Sequence, residues 1–156
     1  MTVTIAAESP LHDELRGLVA QLNDYLRPLS PPQFQYQLTA EQMAGEDSTV
    51  FVVRNAEAVA VGMGALKIHG PTTGEVKRMY VVAEMRGTGL GWLILLSIEA
   101  EARRLGLARL VLETGATAGF EPAWALYERS GFTRCEAVLD YADSDYNRFY
   151  EKKLSR

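Results

Sequence analysis

Three glycines stand within five residues, Gly87, Gly89 and Gly91, where a β-branched run gives way to a long apolar-periodic one. Glycine near a helix start costs roughly 1 kcal/mol relative to alanine, so this density has to be offset by something. The preceding run, Glu75 to Val82, reads as a strand. Leu90 to Leu105 reads as a helix, with Leu93, Leu96, Ile98 and Ala102 among its apolar positions and Gly106 after it as a left-handed cap. A strand that enters a helix and then a further strand, Arg109 to Glu113, implies a locally parallel pair. At the turn, glycines lack the β-carbon that keeps a ligand off the backbone. Successive N–H groups from Gly87 to Gly91 can share one concavity at a helix N-terminus, and Arg86 adds a positive charge. That combination suits a diphosphate. A Walker loop is excluded, because no Gly-Lys pair exists. A dinucleotide fingerprint would need its third glycine where Trp92 stands, and its turn would follow the strand more closely than Arg86 follows Val81.

The remaining chain supplies a mixed sheet. Thr2 to Ala6 suggests a short first strand. Ser9 and Pro10 suggest the start of a helix carrying Leu11, Leu15, Leu18, Val19, Leu22 and Leu26 on one face and ending before Pro28. Thr39 to Ala44 reads as a short helix with Thr39 and Gln42 forming a capping box. Thr49 to Arg54, Val59 to Ile68 and Glu75 to Val82 form an antiparallel meander. Pro122 to Ser130 is a helix stopped by Gly131, and Phe132 to Leu139 with Tyr146 to Leu154 is a closing β pair. The expected order is β-α-α-β-β-β-α-β-α-β-β, within one domain spanning residues 1–156.

The composition sets limits on function. With 47% hydrophobic and 23% charged residues, the chain is of the globular class. A net charge of −4 argues against general nucleic-acid binding. Cys135 is the one cysteine, which fits a reducing compartment and a structural thiol. No signal peptide is visible and no long uninterrupted apolar window occurs, so cytoplasmic localisation without membrane association is expected. His12 and His69 have no ligand-spaced partners, and no metal set is expected.

The segment Arg86-Gly87-Thr88-Gly89-Leu90-Gly91 resembles the pyrophosphate signature of the GNAT superfamily of N-acetyltransferases, Arg/Gln-x-x-Gly-x-Gly/Ala. Ala125 to Phe132 is similar to that family's later helix and the entry to its next strand, in the family's order and spacing. The resemblance runs from about Val3 to Leu154. It implies a GNAT-like α/β fold: a mixed, mostly antiparallel sheet of about seven strands flanked by about four helices. It also implies acetyl-CoA as co-substrate, a small-molecule or peptide amine as acceptor, and homodimers as a common assembly. Met79, Tyr80 and Val81 correspond to the strand whose backbone bonds the pantetheine arm, which enters where that strand splays from the next. Arg86, Gly87, Thr88, Gly89, Leu90 and Gly91 correspond to the diphosphate cradle. Ala83 stands where proline is frequent. Phe120 stands where many members carry a cofactor-contacting asparagine, seven residues before Tyr127.

Acetyl transfer from a thioester to an amine needs a neutral amine, donors for the oxyanion and a proton for the leaving thiolate. A lysine-like amine has a pKa near ~10.4, so a base must take its proton. Glu75 is the first candidate base, since family members that acetylate lysine hold a glutamate at the matching place; Glu113 is the second. Strand alternation puts Glu75, Lys77, Met79 and Val81 on one face. Tyr127 is the candidate acid, beside the CoA sulfur in the family, and a backbone N–H around Val81 the oxyanion donor. The acceptor region would draw on Tyr25, Phe34, Tyr36 and Tyr141, with Asp140, Asp143 and Asp145 available for a cation. A catalytically silent acyl-CoA-binding module is the alternative function.

Overall fold

The computed structural model describes residues 2–154. The strands are β1 (Thr4–Ala7), β2 (Ser48–Arg54), β3 (Ala60–His69), β4 (Thr73–Val81), β5 (Arg109–Gly115), β6 (Thr133–Cys135) and β7 (Asn147–Lys153). The α-helices are α1 (Asp13–Leu26), α2 (Ala40–Met43), α3 (Leu90–Arg104) and α4 (Glu121–Arg129). Seven strands form one sheet in the order β1-β2-β3-β4-β5-β7-β6. Every pairing is antiparallel except β4 with β5. The element order is the one the sequence implies.

Two apolar layers cover the sheet. On one face α1 buries Leu15, Leu18, Val19 and Leu22 against Val50, Val52 and Met63 of the meander. Each such side chain contributes roughly 2 kcal/mol by leaving water. On the other face α3 buries Leu90, Ile94, Leu95, Ile98 and Ala102 against Leu66, Val76, Leu110 and Leu112. Trp92 and Leu96 point away from that stripe and are exposed.

Three local expectations are corrected. First, α1 starts at Asp13 and not at Pro10: His12 is the N-cap, its ring accepting from the Leu15 N–H at 3.4 Å, and Asp13 and Glu14 suit the positive helix end. Second, the strand expected over Phe132 to Leu139 stops at Cys135. Leu139 takes a positive φ of 54°, which ends extended pairing. Tyr146 accordingly lies outside β7 and stacks on Phe34, with centroids 5.0 Å apart. Third, β4 does not alternate regularly. Arg78 has φ 56°, and the register with β3 gains one residue on β4 between the Met63 and Ala65 positions. Lys77 and Arg78 therefore both face the α1 side: Lys77 reaches the Tyr36 carbonyl and Arg78 reaches Asn23 and Val19 of α1. Met79 and Val81 pack into the α3 layer instead.

The parallel pair is short. β4 and β5 are in register only at Thr73↔Arg109, Gly74↔Leu110 and Glu75↔Val111. Beyond them both strands continue, to Val81 and Gly115, without pairing. The sheet opens into a fork whose prongs end beside the glycine-rich turn.

Candidate active site

A cavity of about 860 Å³ fills the fork. It runs from the turn at Arg86, Gly87 and Gly89, past Met79 and Val81, to Glu113 and Tyr127, and on to Phe34 and Tyr36.

At its outer end the backbone is arranged as the glycine pattern suggests. Gly87 has φ 79° and Gly89 φ 88°, both left-handed. Gly89 is the N-cap of α3, and no side chain caps that helix start. Arg86 N–H bonds back to the Ala83 carbonyl, and Leu93 N–H begins the helical ladder at Gly89. Between them, the N–H groups of residues 87 to 91 have no acceptor among the described residues. Thr88 Oγ donates to the Met85 carbonyl, bracing the turn. Gly91 lets α4 approach: a β-carbon there would lie 2.9 Å from Leu126 Cδ2. Arg86 is held by its Nε bond to the Val81 carbonyl at 3.1 Å, with the guanidinium against the rings of Tyr25 and Tyr80. The Val82 N–H bonds to Val61 of β3, so alternation turns the Val81 N–H towards the fork.

Midway, Tyr127 is buried edge-on to Phe132 and tilted against Tyr150. Its hydroxyl has no protein hydrogen-bond partner among the described residues, and burial pushes its pKa up, so it stays a proton donor. Phe120 sits in the cavity wall on the ring-to-backbone contact that Gly115 permits, where a β-carbon would fall 2.0 Å from the ring. An aromatic wall replaces the amide contact there.

The two glutamates have different surroundings. Glu75 is 2% exposed and does not line the cavity. Its carboxylate accepts from His69 Nε2 at 2.8 Å and from the Tyr141 hydroxyl, with Lys77 Nζ 3.6 Å away. His69 is thus partnered and not isolated, and Glu75, the first candidate base of the sequence reading, has its carboxylate engaged by these three neighbours. Glu113 does line the cavity. Burial raises its pKa to about 7, opposed by an Asn147 Nδ2 hydrogen bond and by the charge of Lys77. Asn147 also donates to the Phe34 carbonyl at 3.3 Å, tying Glu113 to the loop after α1. Sequence periodicity could not have separated the two acids, because the separation depends on which one the fork exposes.

The acceptor end is closed by that loop. Gln35 Nε2 donates to the Leu26 and Ser30 carbonyls, Thr117 to the Leu29 carbonyl and Tyr25 to the Gly119 carbonyl. Asp140, Asp143 and Asp145 are exposed and do not line the cavity. Lys77 and Arg78 do, together with Glu113, so the three aspartates belong to a solvated turn.

Residues 16–132 match the model of the acetyltransferase (GNAT) family. The chain belongs to that family. It is 39% identical to an IAA acetyltransferase of Azospirillum brasilense, covering 97% of this chain and 98% of that one. It is 37% identical to the N-acetyltransferase YsnE of Bacillus subtilis, covering 91% of this chain and 97% of the relative. An acyl-CoA N-acyltransferase structure from Klebsiella pneumoniae superposes with a TM-score of 0.83 at 30% identity over 99% of both chains. This GNAT protein is therefore an acyltransferase that uses acyl-CoA and an amine. No helix among its described residues is long and apolar enough to cross a membrane.

Proposed function

We propose that this GNAT protein moves the acetyl group of acetyl-CoA directly onto a primary amine, with Glu113 as base and Tyr127 as acid. The observation that carries this reading is the fork itself, with five unpartnered N–H groups at its mouth and a half-buried carboxyl and a free phenol inside it. The N–H groups of residues 87 to 91 and the Arg86 charge would hold the diphosphate. The edge of Met79, Tyr80 and Val81 that faces β5 would hold the pantetheine arm, and the Val81 N–H would meet the oxyanion. Acetyl-CoA supplies an activated thioester carbonyl. Glu113, raised to about 7, lies closer to the amine's pKa than an ordinary carboxylate does and so takes its proton more readily. Tyr127, buried and protonated, donates to the departing sulfur. Glu75 is a positioning residue here: it holds Lys77 and Tyr141 beside the acceptor end.

Thiol release from acetyl-CoA across a panel of amines tests the reading. Turnover that Glu113→Gln abolishes and Glu75→Gln only weakens is expected. Tight acetyl-CoA binding with no turnover on any amine would leave a silent acyl-CoA-binding module in its place.

A further inference from the structure

Among the described charged groups that line the cavity, Arg78 is a buried one that no ion pair matches. Its side chain lies on the cavity wall, and the residue is 7% exposed. One terminal nitrogen donates to Asn23 Oδ1 and, at 3.5 Å, to the Val19 carbonyl, both neutral. Its Nε is buried with no hydrogen-bond partner among the described residues. No carboxylate offsets its charge; burial alone acts on it and pushes its pKa down to about 10, which leaves it charged at neutral pH. Neighbouring Lys77 differs, because Glu75 lies 3.6 Å from its Nζ. A buried cation without an anion costs several kcal/mol, and natural interiors pair such groups or bind something that pairs them. Arg78 also holds a left-handed φ of 56°, a conformation strained for a non-glycine residue. Strain and an unmatched charge at one cavity-lining residue point to a ligand.

We propose that Arg78 receives a carboxylate of the acceptor, so that the substrate of this enzyme is an amine that also carries a carboxylate, an amino acid in the broad sense. The inference rests on the acyl-transfer reading of the cavity. One unmatched positive charge fits one singly charged carboxylate, whereas a phosphate would call for more donors than this wall offers. The planar guanidinium, whose second terminal nitrogen has no protein partner among the described residues and is not buried, can meet a carboxylate. The rings of Tyr25, Phe34 and Tyr36 line the same end and would cover the apolar body between the two charged groups. With the base at Glu113 and the anion seat at Arg78, the amine is directed to the fork and the carboxylate to α1.

The test compares amino acids of increasing amine-to-carboxylate separation with their decarboxylated counterparts, by turnover and by equilibrium binding to the CoA-loaded protein. At least one amino acid should exceed its decarboxylated counterpart by about tenfold or more in kcat/KM. Arg78→Gly, which suits the positive φ, should fold, as thermal melting would show, and bring that ratio close to one. Arg78→Lys should retain part of the preference. Turnover of decarboxylated amines equal to or better than every amino acid would overturn the anion seat while leaving acetyl transfer intact. Carboxylate-dependent binding that Arg78→Gly removes, without turnover of any amine, would support the seat and sink the acetyl-transfer reading. Neither binding nor turnover of any amine, with or without a carboxylate, would overturn both.

Discussion

Glu113 and Tyr127 differ in what their surroundings do to them. Desolvation raises both, but for a carboxyl this brings the pKa to about 7, into working range, and for a phenol it moves the group further from ionisation. Because the deprotonated form of Glu113 is the base, kcat/KM should rise with pH through about 7 and level off above it. Glu113→Gln should flatten that limb and cost about 10²–10⁴-fold, read in a stopped-time thiol-release assay. Tyr127→Phe keeps the ring packing against Phe132, so acetyl-CoA affinity by calorimetry should hold while kcat falls about 100-fold. Residue types at this scale were visible in the sequence, but roles were only half legible. Tyr127 could be singled out from its place in a motif. The sequence ranked Glu75 before Glu113 as base, since it does not say that His69, Tyr141 and Lys77 converge on Glu75. The pairing of Arg78 with the α1 side was hidden too, since a bulge reverses the alternation on which strand reasoning depends.

The turn before α3 is where sequence and structure agree most closely. Its glycines are readable because their conformational need is local: φ of 79° and 88° is set by the chain itself, not by distant packing. A β-carbon at Gly89 would meet nothing within 4 Å, so Gly89→Ala acts through backbone strain alone. At about 1–2 kcal/mol, that strain should weaken acetyl-CoA binding about tenfold in a titration, with the sheet intact by circular dichroism. The helices and the meander were legible for the same reason, as periodic patterns over ten or more residues. The presence of β6 was legible too, but its shortness was not. Its pairing with β7 covers only Thr133 to Cys135, and the positive φ at Leu139 falls on a residue type that gives no warning of it.

Across the whole molecule, one ion cluster fastens the far edge of the sheet. Arg54 on β2 binds Glu8 through two nitrogens at 2.8 Å and Glu14 of α1 at 2.7 Å, joining the first strand, second strand and first helix. The Arg54 hydrogen bonds hold the Glu8 carboxyl below its usual range, and the Ala60 N–H and then Arg54 do the same for Glu14. Lowered carboxyl pKa values stabilise the fold above the ordinary glutamate pKa of ~4.3, and that stability is lost as pH falls below it. Arg54→Ala should therefore cost about 1–2 kcal/mol near neutrality in urea unfolding, with the gap to the parent closing as the solution is acidified below about pH 4. Acetyl-CoA at a hundredfold above its Kd should add about 2.7 kcal/mol, seen as a rise in Tm. Finally, the four-stranded and three-stranded halves share only three residue pairs at Thr73 to Glu75. So short a seam leaves the width offered to an acceptor to the contacts that span both halves: the α3 layer, and the ties of Asn147 to Phe34 and of Thr117 to Leu29. Substitutions along β7 or in the loop before it would retune which amines fit while the diphosphate grip, carried wholly by the other half, stays as it is.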